Sequence, residues 1–165
     1  MMPTPRTVLA VNPGSRYLGI AVLQGTQLRD WRVKVLRGRS TREKAGKAKY
    51  ILLTLLQRYQ PAALAIKKLD RCRSSRALNQ LTQEISILAE SNGAKVREYP
   101  LRRLERFFTG QRKSNKRAMA EILATEYPDL MYELDREKAA KNPYHIRLFE
   151  AVALAALCAH ELDNN

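Results

Sequence analysis

Val8-Leu9-Ala10-Val11-Asn12-Pro13-Gly14-Ser15-Arg16, followed after Tyr17-Leu18 by Gly19-Ile20-Ala21-Val22, is the stretch whose reading decides the fold. Thr7 to Val11 is a short β-branched and apolar run, and Asn12-Pro13-Gly14 reads as a turn that closes it. Tyr17 to Leu23 resumes as a second strand. Gly25-Thr26 makes a tight connection, and the alternation of Trp31, Val33 and Val35 with Arg32 and Lys34 predicts a third strand with one polar face. Three antiparallel strands are therefore expected to open the chain.

Beyond them the period changes. Ser40 followed by Glu43 forms a capping-box pattern, and Ala45, Ala48, Leu52, Leu55, Leu56 and Tyr59 recur at helical spacing until Pro61. Ala62 to Ile66 is a compact apolar run suited to a buried strand. Ser74 or Ser75 can then cap a helix carrying Leu78, Leu81, Ile85 and Leu88, which Asn92-Gly93 ends. Ala94 to Tyr99 supplies a fifth strand. After Pro100 the pattern turns helical, breaks at Thr109-Gly110, and resumes around Ser114 to Thr125. Asn142-Pro143 starts a last helix, whose segment from Ile146 to Leu162 is apolar on most faces and should be buried. The order is β-β-β-α-β-α-β followed by helices: an α/β fold with a mixed five-stranded sheet flanked by helices. Its 165 residues suit a single domain spanning 1–165.

Thirty Lys and Arg against sixteen Asp and Glu give a net charge of +14, a field that attracts polyanions. Nucleic acid is the leading partner; a basic surface that serves solubility, the ribosome or a membrane face is the alternative. The charge is uneven. Residues 29–49 carry nine basic and two acidic side chains, residues 95–117 nine and two, and residues 121–138 six acidic and two basic, so one face should do the binding. Cys72 and Cys158 give neither a disulfide framework nor a zinc spacing, which fits a reducing compartment. His145 and His160 have no ligand spacing with them. With no secretory pattern at the N-terminus and no apolar run long enough to span a bilayer, a cytoplasmic protein without a membrane partner is expected.

The quoted hairpin resembles that of the RuvC-type Holliday junction resolvases, members of the ribonuclease H-like superfamily. Glu98-Tyr99-Pro100 and Thr109-Gly110 with Lys116 look like a later signature of that family, and Phe149-Glu150-Ala151-Val152-Ala153-Leu154-Ala155 is similar to its closing helix. The resemblance implies a ribonuclease H-like fold, and phosphodiester hydrolysis by paired Mg²⁺ ions held on four carboxylates. Carried over residue by residue, those four positions are Asn12, Lys67, Arg147 and Glu150, so one acid of four is kept. Magnesium prefers charged oxygen ligands. At about 4 Å and an effective dielectric near 20, each unit-charge repulsion from Lys67 or Arg147 is about 4 kcal/mol, doubled against a divalent ion. A degenerate site is thus expected, with no catalytic residue, metal or cofactor, and with Arg147 and Glu150 pairing on one helix face beside Lys67. If the alignment is shifted, Asp70 or Glu84 supplies the missing carboxylates.

Arg71, Arg73 and Arg76, with Ser74 and Ser75, and a second cluster of Gln111, Arg112, Lys113, Lys116 and Arg117 are the candidate phosphate contacts. Lys116 matches a family lysine near the cleaved phosphate, whereas the other family lysine falls at Glu105. Tyr17, Trp31, Tyr99, Phe107 and Phe108 are candidates for base stacking or, for most of them, core. The expected function is binding of branched or structured DNA without cleavage, in a homodimer if the resemblance holds. The alternatives are an active, divergent Mg²⁺-dependent junction endonuclease and a basic interaction module of a nucleoprotein assembly.

Overall fold

The computed structural model describes residues 5–110, 116–139 and 144–164. Strand β1 (Thr7–Pro13) pairs antiparallel with β2 (Tyr17–Gln24), which pairs antiparallel with β3 (Gln27–Val35). On its other side β1 pairs in parallel with β4 (Ala63–Lys67), and β4 with β5 (Lys95–Tyr99), giving the five-stranded order β3-β2-β1-β4-β5. Helix α1 (Thr41–Tyr59) links β3 to β4 and α2 (Arg76–Ser91) links β4 to β5. After β5 come α3 (Leu101–Thr109), α4 (Lys116–Glu126), a 3-10 turn at Pro128–Leu130, α5 (Met131–Ala139) and α6 (Tyr144–Asp163). The mixed sheet with three antiparallel strands first is the architecture expected from the sequence.

Its caps follow the sequence with one change. The Ser40 hydroxyl accepts from the Glu43 N–H at 3.1 Å, but the Glu43 carboxylate accepts from Arg39 N at 3.0 Å, one residue before the cap itself. Helix α1 stops at Gln60, in the left-handed region at φ 44°, directly before Pro61. Ser75 rather than Ser74 caps α2, accepting from Leu78 N at 3.1 Å. The expected start of α6 at Asn142-Pro143 lies outside the described residues.

Two local expectations change. Asn12-Pro13-Gly14 does not end the first strand, because Asn12 pairs with Gly19 and Pro13 with Leu18. The ladder to β4 stops at Val11, so Pro13 is paired on one side only, where a missing N–H is tolerated. The part of the acidic stretch beyond Thr125, where the sequence reading places no element, contains the end of α4, the 3-10 turn and α5, anchored by Leu130 and Leu134.

Alternation along the strands sorts the core into two faces. Leu9, Val11, Leu18, Ile20, Val22, Leu64 and Ile66 pack against α1 and α2. Val8, Ala10, Ala21, Ala63 and Ala65 face α3 to α6, with α6 running over β1 and β2. The small residues let α6 lie close. A Cβ at Gly19 would come within 2.5 Å of the Arg147 carbonyl oxygen, so glycine is required there by the approach of the helix backbone. Alanine-rich α6 is buried from Ala151 to Cys158, and among the described residues no helix is long and apolar enough to cross a membrane.

Candidate functional site

Because β1 and β4 run parallel, their carboxyl ends emerge together, at the edge where open α/β sheets bind ligands. The parity that sends Ala10 and Ala65 towards α6 does the same for Asn12, next to the last residue of β1, and for Lys67, the last of β4. Helix α6 brings Glu150 against both. Asn12, fully buried, donates from Nδ2 to Glu150 Oε2 at 2.5 Å and to the Arg147 carbonyl at 3.4 Å. Lys67 Nζ lies 3.2 Å from the same carboxylate oxygen, and Lys116 Nζ, from the first turn of α4, lies 3.0 Å from Oε1. One carboxylate, 2% exposed, thus carries two ammonium groups and an amide.

Arg147 does not join them as expected. Its Nη1 donates to the Pro13 carbonyl at 3.4 Å, and its guanidinium lies where a Cβ of Gly14 would be, 2.6 Å from the Cζ atom. Glycine follows Pro13 to leave room for that group. The Arg147–Glu150 pair predicted from the three-residue spacing is replaced by Lys67 and Lys116, because Asn12 and the two lysines already surround the carboxylate.

Burial pushes the Glu150 carboxyl up, but Lys67 and Lys116 outweigh it and hold the group below the usual carboxylate range. Glu105, on α3, shows the reverse balance. Burial raises its carboxyl, Glu150 adds to that, and Lys116 and Lys67 only partly oppose. The departure from the family lysine at this position therefore places a second acid beside the cluster.

Asp70 and Glu84 do not supply missing ligands. Asp70 is exposed in the loop after β4, 3.7 Å from Arg73, and Glu84 on α2 lies 3.6 Å from Lys49 on α1, across the sheet from Glu150. Among the described residues no three His, Cys, Asp or Glu side chains are grouped to hold a metal ion. The donor set at the strand ends is one carboxylate, already paired, and the Asn12 Oδ1, buried without a hydrogen-bond partner among the described residues. Lys67 and Lys116 stand on that carboxylate. These residues do not fit a pair of divalent cations.

The chain superposes on RuvC of Thermus thermophilus with a TM-score of 0.72 at 18% identity, over 96% of both chains. For the same protein in complex with a Holliday junction substrate the score is 0.74, again at 18% identity, over 97% of this chain and 96% of that one. The yeast mitochondrial Holliday junction resolvase Ydc2 gives 0.66 at 12% identity, over 94% and 78%. This is the ribonuclease H-like fold of RuvC. The likeness is one of structure, since no protein-family profile and no curated protein sequence matches the chain.

Around the RuvC-like strand ends the expected basic residues separate into groups. Arg71 and Arg73 are exposed on the loop after β4, and Arg76 opens α2. This loop is tied by Asp70, whose side chain accepts from Cys72 N at 3.0 Å and whose carbonyl accepts from Arg73 N and Ser74 N. Between it and α2 lies a polar groove of about 610 Å³, lined in part by Arg71, Arg76, Asn79, Gln83 and Glu98. Glu98 therefore faces away from Glu150, on the α2 side of the sheet. Lys116 and Arg117, expected in one cluster, diverge: Lys116 turns to Glu150, and Arg117 lies 3.6 Å from Glu137 on α5. Gln111, Arg112 and Lys113 lie outside the described residues.

The aromatic residues are divided. Tyr99 is buried, Trp31 and Phe108 pack partly buried against the α6 face, and Phe107 is exposed with its ring 5.0 Å from that of His160. His145 is buried, its Nδ1 2.9 Å from Glu133. Two contributors to the site carried no chemical signal in the sequence. Gly14 read as a turn residue and Gly19 as part of a strand, although each is glycine because Arg147 comes close.

Proposed function

We propose that this chain binds branched or structured DNA through the edge of the sheet where β1 and β4 end, and does not cut it. The observation that carries the reading is the Glu150 carboxylate, paired with Lys67 and Lys116 where the resemblance calls for metal-binding acids. The surrounding charge supports it, since Arg71, Arg73 and Arg76 stand on exposed segments that leave the same edge. Fold likeness to a RuvC seen with a Holliday junction substrate makes a four-way junction the first ligand to try. The reading includes a single domain over residues 1–165 that acts as a homodimer, as the resemblance implies.

The deciding experiment sets the wild-type chain beside a variant carrying N12D, K67E, R147D and E150D, with a labelled four-way junction in Mg²⁺ and in Mn²⁺. The wild type is expected to shift the junction and leave it intact; cleavage by the restored variant would show that the carboxylates alone were missing. Cleavage by the wild type would instead establish a divergent endonuclease. Failure to bind junction, with salt-sensitive binding to a protein assembly, would favour an interaction module.

A further inference from the structure

We infer that the cluster at the strand ends is a metal-independent seat for one phosphodiester group, gripped by the Lys67 and Lys116 ammonium groups. The inference rests on the nucleic-acid reading above and names the ligand chemistry of that site.

Depth orders the cluster. The Glu150 side chain is 2% exposed, Lys67 20% and Lys116 47%, so the carboxylate lies beneath and the ammonium groups lie nearer solvent. An ammonium has three N–H donors. Lys67 donates one to Glu150 Oε2, and Lys116 lies 3.0 Å from Oε1 as an ion pair, so both retain N–H groups for an anion. The lysines come from different elements, the end of β4 and the start of α4, yet meet on two oxygens of one carboxylate. Two cations that the chain would otherwise leave to wander are thereby fixed as neighbours, which lowers the entropy lost when an anion is gripped.

Charge gives the same sign. Lys67 and Lys116 balance Glu150 and Glu105 when both acids are ionised, burial favours the neutral form of Glu105, and Arg147 adds a cation at Pro13 and Gly14, directly after Asn12. Arg147 also keeps a buried Nε–H without a hydrogen-bond partner among the described residues. Stability alone does not account for the arrangement, because buried ion pairs are often matched or exceeded by apolar replacements. A pair of fixed ammonium groups at the ligand-binding edge of the sheet does account for it, taking over the anchoring that divalent cations would provide.

The test uses the full chain, a synthetic four-way junction and fluorescence anisotropy over a salt series, in EDTA and in Mg²⁺. Binding in EDTA at least as tight as in Mg²⁺ is expected, since the divalent ion is not needed and competes for the phosphates. Lys116→Ala, which leaves Glu150 paired to Lys67, should weaken binding and reduce the slope of log K against log salt by about one. Lys95→Ala, at the opposite edge of the sheet, should leave that slope unchanged. As a readout independent of DNA, inorganic phosphate in EDTA should protect Lys116 from amine acylation, followed by mass spectrometry, and leave Lys95 reactive. Binding that needs a divalent ion overturns the seat, as does junction binding that Lys116→Ala and Lys95→Ala affect equally; in both cases the nucleic-acid reading stands. Absence of any junction binding by the wild type overturns both.

Discussion

The two faces of the sheet are built by opposite means. Towards α1 and α2 the strands present Leu9, Val11, Ile20, Leu64 and Ile66, and the layers are held apart and filled by large side chains. Towards α6 they present Ala10, Ala21, Ala63, Ala65 and Gly19, and a helix backbone comes nearly into contact with a strand. The wide face supplies stability through apolar area. The close face supplies reach, since only a helix lying this low can bring Glu150 to Asn12 and Lys67, and Arg147 to the Pro13 carbonyl. Site geometry in this fold is thus set by the absence of side chains as much as by their presence.

That contrast can be broken from either side. Leu64→Ala should have the largest effect, a loss of about 2–5 kcal/mol in denaturant unfolding, because the wide face cannot close over the cavity. Junction affinity of the folded fraction should stay unchanged, and a matching loss of affinity would show that the two faces are not separable. Gly19→Ala should cost about 1–3 kcal/mol, since its Cβ meets a backbone carbonyl that can yield only by moving α6. Here affinity should fall with stability. Retained affinity would mean that the position of α6 does not set the site.

The smallest effect is one of pH. Lys67 and Lys116 hold the Glu150 carboxyl low in the folded chain, so the cluster contributes stability that is complete above the ordinary glutamate range and is lost as pH falls below about 4. Glu105 runs the other way. Its raised carboxyl costs stability as pH climbs from the ordinary range through its folded value, a cost relieved on acidification. Comparing wild type with Glu150→Gln over an acid series isolates the first contribution, and their stabilities should converge as Glu150 protonates. A difference that stays constant with pH would show that the carboxylate is not held by its charge.

Much of this was legible in the residues. The three opening strands, Ser75 and the Thr109-Gly110 break each carry local signals, in alternation, capping or φ above zero, that need no tertiary information. The residues at the strand ends, Asn12 and Lys67, came from the resemblance and their proximity from strand parity. What stayed hidden depends on contacts between distant segments. A three-residue spacing permits Arg147 to reach Glu150, yet it cannot show that Lys116, from another helix, arrives there first. Gly14 carries no mark separating a turn glycine from one that shelters a guanidinium. Short α5, with Leu134 as its buried leucine, offers too little apolar period to stand out from its acidic neighbours.

The loop tied by Asp70 has a practical outcome. Cys72 is exposed on it, while Cys158, the other cysteine of the chain, is buried in α6 with its thiol pushed up by that burial. A maleimide dye should therefore attach at one place, on the segment leaving Lys67, and the native sequence already contains an optical reporter for whatever docks beside it.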